Sequence, residues 1–287
     1  MKKIALIVGS DFKRNLPVAS EVFTFLQDVP VGVKIQSDFA KEIGQEPPFL
    51  TDKEVVSDVD MVLVIGGDGT LLQAARLACP EGIPICGLNM GRLGFLSELD
   101  TQNWRSALTS ILEGNFYLEE RLTLKGTLFR DDGILREWLA INDVVLARNG
   151  FPHLMTLDIW LDGEETISYP ADGVIIASPM GSTAYSLSAG GSILSPQLEA
   201  IAITPICAHD FYARPWVVTS DTVIDLRFDQ RSGSCGVTAD GEALEECYPG
   251  DRIRVEKSPW KAKFIRLSKS GYYNNLRTKF HRKGKSS

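Results

Sequence analysis

The chain has 287 residues, 44% of them hydrophobic and 23% charged, with a formal net charge of −7. That is the composition of a globular protein with room for one large core or two smaller ones. The acidic balance points away from nucleic acid, and no stretch approaches the roughly 18 to 20 apolar residues of a membrane helix. Five cysteines, Cys79, Cys86, Cys207, Cys235 and Cys247, form no C-x-x-C pair. Their odd number argues against a disulfide framework, so they read as reduced, several of them small core residues. Met1-Lys2-Lys3 runs straight into Ile4–Val8, an apolar run too short for a signal peptide and broken by Gly9. Together these features read as a cytoplasmic protein. From Lys269 to Ser287 there are six Lys or Arg and no acid, and Arg282 to Ser287 read as a solvated or frayed tail.

In chain order, residues 4–8 predict a buried strand, 19–27 a helix with Val22, Phe23, Phe25 and Leu26 on its apolar face, and 31–35 a second strand. Met61 to Ile65 is five apolar residues in a row and predicts a strand. A helix is expected from Thr70 to Ala78 and a further strand over 83–87. Strands alternating with helices imply parallel pairing in a doubly wound sheet, with ligands beyond the carboxyl ends of the strands. After a helix near 102–112 the pattern changes. Leu122 to Phe129, a turn at Asp131-Asp132-Gly133 and Trp138 to Leu146 predict a hairpin. Further strands are expected over 154–161, 173–177, 201–205, 216–219, 223–228, 253–256 and 264–267, with few helices between them. The fold class is therefore an α/β N-terminal domain (1–100) followed by a mainly β C-terminal domain (101–287).

Three stretches carry the candidate chemistry. In Gly66-Gly67-Asp68-Gly69-Thr70, a strand ends in glycines and hands over to a helix, which exposes backbone N–H groups where the helix dipole favours phosphate. Asp68 would repel phosphate, so it points to work on a hydroxyl or a metal ion; a plain strand-to-helix turn is the competing explanation. Gly87-Leu88-Asn89-Met90-Gly91-Arg92-Leu93-Gly94-Phe95-Leu96 is a second strand ending in glycines. Asn89 offers hydrogen bonds and Arg92 a phosphate partner, although an ordinary Gly-rich loop explains it equally well. The third runs from Asp172 to Gly191. Ser182 or Thr183 reads as a helix cap, which leaves Tyr185, Ser186, Ser188 and Ala189-Gly190-Gly191 as hydroxyls, a ring and small residues suited to a ribose and base. Asn142-Asp143 is expected inside an apolar strand, where a buried polar pair needs partners. Asp240-Gly241-Glu242 reads as a turn, and His209-Asp210 lies at a strand end. His153 and His281 read by themselves as surface histidines, and no spacing suggests a zinc site or other protein-bound metal.

These motifs, in this order, resemble the NAD kinase family: Gly66–Thr70, the Gly87–Leu96 loop, Asn142-Asp143, Gly181-Ser182-Thr183-Ala184-Tyr185 through Gly191, His209 with Ala213-Arg214-Pro215, and Asp240-Gly241. The first is shared with lipid kinases and loosely with phosphofructokinases; the third is much more specific to NAD kinases. The resemblance implies an active site between the two domains, with about 270–287 returning to the first. It implies transfer of phosphate from ATP or polyphosphate, with Mg²⁺, to the 2′-hydroxyl of the adenosine ribose of NAD, in a homodimer or homotetramer. It implies Asp68 as general base. Gly66, Gly67, Thr70, Asn89 and Gly91 would lie on the donor side. Asp68, Gly69, Asn142, Asp143, His153, Asp172, Thr183, Ala184, Tyr185, Ser186, Leu187, Ser188 and Glu242 would lie on the dinucleotide side. This chain departs from the family pattern at Gln73, Asp143, Pro170, Ser178-Pro179-Met180 and Glu242. Two other readings are open from the sequence: a lipid or sphingoid-base kinase, resting on the first motif alone, and a non-catalytic NADP-binding module, against which the intact Asp68 argues.

Overall fold

The computed structural model describes residues 1–46, 50–91, 94, 96–150, 155–229, 234–268 and 276–277. The chain forms two compact units, one of residues 1–120 with 262 onward, the other of residues 121–261. The first boundary thus falls some twenty residues beyond the position near 100 expected from the sequence. The reason is the helix over 104–112, whose Trp104, Leu108 and Ile111 are buried in the first unit's core.

In the first unit, β1 (Lys3–Val8), α1 (Phe12–Gln27), β2 (Gly32–Ile35), α2 (Ser37–Glu42) and α3 (Asp52–Val56) precede β3 (Met61–Ile65), α4 (Asp68–Ala78), β4 (Ile85–Asn89), β5 (Leu99–Asp100) and α5 (Trp104–Leu112). The strands pair in parallel in the order β2-β1-β3-β4, with β5 beside β4. β1 and β3 are buried along nearly their whole length, as parallel strands covered on both faces must be. α1 starts about two turns earlier than expected and carries Pro17 inside it. The proline removes one backbone bond, but buried Ala19, Val22 and Leu26 hold the helix to the sheet. α3 is an element the sequence reading missed, although Thr51 and Glu54 form a reciprocal capping box at its start. Two shifts matter for function. α4 begins at Asp68 rather than Thr70, and β4 runs to Asn89 rather than stopping at Gly87.

The second unit is antiparallel. β6 (Tyr117–Arg130) leads the chain into it, and β17 (Arg252–Arg266) leads it back. Between them lie β7 (Gly133–Ala140), β8 (Asp143–Arg148), β9 (Met155–Leu161), β10 (Glu164–Ala171), β11 (Gly173–Ala177), a 3₁₀ turn (Gly181–Thr183), α6 (Tyr185–Ser188), β12 (Ala200–Ile206), β13 (Trp216–Thr219), β14 (Ile224–Phe228), β15 (Cys235–Ala239) and β16 (Glu242–Cys247). One sheet runs β10-β9-β14-β17, with β6 joining β17 to β7; the other runs β13-β12-β11-β8-β15-β16. Side chains from both sheets share one core, including Leu157 and Ile224 from the first and Val144, Ile176 and Ile203 from the second. The limb expected over Trp138–Leu146 is therefore two strands: the chain leaves one sheet after Ala140 and enters the other at Asp143. Four cysteines are buried, Cys207 alone being exposed. Burial pushes the thiols of Cys86, Cys235 and Cys247 up to about 12, so they stay protonated and act as packing groups. Among the described residues no helix is long and apolar enough to cross a membrane.

Candidate functional site

The first unit has a cleft at the ends of β1 and β3, lined by Gly9, Ser10, Asp11, Arg14, Asn15, Gly66, Gly67, Thr70, Asn89 and Met90. Its floor is built by close approach. A Cβ on Gly9 would stand 2.7 Å from the Thr70 hydroxyl and one on Gly66 would stand 2.8 Å from it, so two glycines admit a single threonine side chain. Gly67 caps α4 in an extended conformation, which makes Asp68 the first helical residue. There a carboxylate meets the positive end of the helix dipole. A Cβ on Gly94 would overlap the Asp68 carboxylate, so the second glycine-rich stretch presses its backbone against that acid. Asn89 ends β4 nearly buried, with its side-chain oxygen accepting the Gly91 N–H at 3.2 Å. Gly87 lies inside β4, where Leu71 of α4 fills the space a side chain would need; its role is helix-to-sheet packing. The stretch is pinned from the C-terminal end of the chain. Arg266 donates to the Leu96 carbonyl at 2.9 Å and to Glu119 at 2.8 Å, and Glu98 accepts the Leu267 N–H at 2.9 Å.

In the second unit, Asn142 sits at the break between β7 and β8, not within a strand as expected. The break is held by Asp240, whose carboxylate accepts the backbone N–H groups of Ile141, Asn142 and Asp143 at 2.6–3.3 Å. Asp240-Gly241 is also the turn read from the sequence, with both residues at positive φ. From the other side, Ser178 donates its N–H to the Asn142 carbonyl at 2.8 Å and its hydroxyl to the Ile141 carbonyl at 2.7 Å. A Cβ on Gly181 would overlap the Asn142 backbone. Asn142-Asp143, Ser178–Gly181 and Asp240 therefore form one cluster, though 98 residues separate its ends in sequence. Burial, and then the Asp240 charge, raise the Asp143 carboxyl to about 7.

The remaining candidates are placed as follows. Ser182 and Thr183 were expected to cap a helix; neither does. Ser182 donates to the Pro179 carbonyl and accepts from the Leu194 N–H, while Thr183 donates to the Met180 carbonyl. A 3₁₀ turn at Gly181–Thr183 leads instead into the single turn of α6. Tyr185 and Ser188 are exposed, Thr183, Ala184 and Leu187 half-buried. Ser186 is fully buried, 2.8 Å from the Thr204 hydroxyl. Asp172 lies at the bend between β10 and β11 and accepts from Arg148 Nε at 2.7 Å. His209 donates its N–H to Pro170, and Glu242 opens β16 on an exposed edge. His153, Arg92, Leu93, Phe95 and most of 270–287 lie outside the described residues. Sequence reasoning missed Gly9, Asp11, Arg14 and Asn15. Yet Ile4–Val8 followed by Gly9 and a helix is the same strand–glycine–helix pattern that singled out Met61–Thr70.

Comparison with known proteins matches residues 4–116 to the ATP-NAD kinase N-terminal domain and residues 141–267 to the ATP-NAD kinase C-terminal domain. The NAD kinase of Desulforamulus reducens is 37% identical over 279 residues, covering 97% of each chain. That of Moorella thermoacetica is 37% identical over 284 residues, 99% of this chain and 91% of its own. A crystal structure of yeast NADH kinase with NADH superposes with a TM-score of 0.91 at 27% identity, over 100% of this chain and 89% of that one. An NAD kinase from Archaeoglobus fulgidus in complex with ATP shares the fold, with a TM-score of 0.74 at 24% identity, covering 97% of this chain and 98% of its own.

Proposed function

We propose, since this chain belongs to the NAD kinase family, that it transfers the γ-phosphate of ATP to the 2′-hydroxyl of the adenosine ribose of NAD, yielding NADP and ADP. One observation carries the catalytic assignment: Asp68 begins α4 beside a cleft of glycine backbone, with the Gly94 backbone close against its carboxylate. A ribose hydroxyl is a poor nucleophile until its proton leaves. In this reading Asp68 takes that proton, the oxygen forms a bond to the γ-phosphorus, and the β–γ bridging oxygen departs with ADP and its electron pair. Gly66, Gly67, Thr70, Asn89 and Gly91 line the donor side in this reading; Gly66 and Gly91 serve it through small volume, since their N–H groups are spent on the Leu88 carbonyl and the Asn89 side chain. Asn142, Asp143, Asp172, His153, Glu242 and residues 183–188 serve the dinucleotide, with Gly69 beside Asp68.

The donor enters this scheme as its magnesium complex. Among the described residues no three acidic, His or Cys side chains gather as ligands. In this reading Mg²⁺ is held, as in other kinase sites, by one or two carboxylates together with the substrate phosphates and water. Asp11 lines this cleft and Asp68 follows Gly67 of its lining, so these two carboxylates would hold the ion. The family's habit of assembly extends the proposal to a cytoplasmic homodimer or homotetramer, which light scattering of the purified protein tests.

The chemistry is tested by a matrix of donors (ATP, polyphosphate) against acceptors (NAD, NADH), with NADP or NADPH read out enzymatically. Phosphorylation of NAD by Mg-ATP is expected; no product with any pair would overturn the reading. Asp68→Asn is expected to lower kcat by about 10²- to 10⁴-fold, the scale of a lost general base. Turnover near wild type would remove Asp68 from that role.

A further inference from the structure

We propose that Arg14 is a donor-binding residue of this site: its guanidinium holds the phosphate chain of the donor, and Gly91 leaves room for it. The proposal rests on the reading of the first-unit cleft as the donor side of an NAD kinase. Arg14 lies in the opening turn of α1, is exposed and lines the cleft beside Gly66, Gly67, Thr70 and Asn89. One donor of its planar fork is committed, Nη2 to the Met90 carbonyl at 2.8 Å. That bond ties the side chain to the second glycine-rich stretch and fixes where the fork stands. A guanidinium has five N–H donors, and the geometry of the fork matches phosphate oxygens.

Two further observations support the assignment. A Cβ on Gly91 would overlap Arg14 Nη2. Gly91 is not among the glycines at positive φ, so its backbone does not demand glycine; a side chain there would instead push the guanidinium end of Arg14 out of its place. The lining also carries one acid, Asp11, and one cation among its described residues, Arg14. Without Arg14 the lining is net anionic, an unfavourable surface for a polyphosphate. Arg14 is therefore what makes this end of the cleft fit a donor with several phosphates, whether ATP or inorganic polyphosphate.

The test uses the full-length enzyme with three variants. Arg14→Gln is expected to raise KM for ATP about 10- to 100-fold, the scale of one lost charge-assisted pair with phosphate. KM for NAD should stay within about threefold, since only the donor side has changed. Arg14→Lys keeps the charge but loses the fork and is expected to fall between the two. Gly91→Ala displaces the guanidinium and should raise KM for ATP in the wild-type background, with little further effect when added to Arg14→Gln. An unchanged KM for ATP in Arg14→Gln, or equal rises for ATP and NAD, would overturn the proposal. Additive effects of Arg14→Gln and Gly91→Ala would sever the link between the two residues. Should the wild type phosphorylate no dinucleotide, the assignment of function fails separately. Calorimetric titration of wild type and Arg14→Gln with Mg-ATP alone then decides the role of Arg14, and equal affinities would count against it.

Discussion

Asp143 and Asp240 show how one residue's environment sets its chemistry. Asp240 offers its carboxylate to three successive backbone N–H groups, a concave arrangement that suits a negative charge. Asp143, one of those three donors through its own N–H, has its side chain almost wholly buried next to that charge. Burial first, and then Asp240, move its carboxyl from 3.8 to about 7. The consequence for stability has a definite sign. Between about pH 4 and pH 7 the folded state holds a proton that the unfolded chain has released, so stability falls as pH rises through that window and levels off above it. Asp143→Asn, which cannot ionise, removes this dependence. It is expected to melt about 2 to 6 °C above wild type at pH 8, corresponding to about 1–3 kcal/mol, with the two curves converging toward pH 4. Thermal unfolding measured across that range checks it. The sequence pointed to Asn142-Asp143 as a polar pair in need of partners. It could not say that the partner was an acid some hundred residues on, because that depends on β15 lying next to β8.

At the scale of elements, the glycines divide into those pressed against other atoms and those with open space beside them. Gly181 admits no side chain, because the atoms in the way are the Asn142 backbone and cannot step aside. Gly67 and Gly69 have nothing within 4 Å of where a Cβ would stand. Gly69 also lies in the first turn of α4, where alanine is the better helix former. Gly69→Ala is accordingly expected to raise stability by about 0.5–1 kcal/mol, and, if the proposed function holds, to lower activity by filling space beside Asp68. Gly181→Ala is expected to cost more than about 2 kcal/mol. Urea unfolding of both variants, with initial rates alongside, measures the contrast; equal destabilisation would contradict it. The glycine-rich motifs were legible at this scale because strand, turn and helix start are written in adjacent residues. The helix start was misplaced by two residues, since Asp68-Gly69 reads as turn in isolation. Only the N-cap geometry of Gly67 makes Asp68 the first helical residue.

At the scale of the whole molecule, the chain visits the first unit twice. The return places Ala262, Phe264 and Ile265 in buried positions, pairs Phe264 with Ile85 of β4, and lets Arg266 grip the stretch that ends at Leu96. Ending the chain at Lys261 is expected to destabilise the first unit by at least about 3–5 kcal/mol, the usual cost of removing a buried phenylalanine alone. The second unit, with its own core, is expected to retain a cooperative transition. Calorimetry of the truncated and full chains distinguishes that outcome from a single unchanged transition. The amino-acid sequence by itself determined the α/β-then-β order, the strand–glycine–helix at Met61–Thr70 and the family, because periodicity, glycine placement and motif order are local and survive without a fold. Only the tertiary structure decided that the apparent strand across Asn142 is a crossing between sheets, that Asp240 holds it, that Arg14 lines the first-unit cleft beside Gly91, and that Arg266 anchors the loop. Each of these joins residues far apart in the chain, and such pairs are set by which strands lie side by side and in what register, a property no short window of sequence contains.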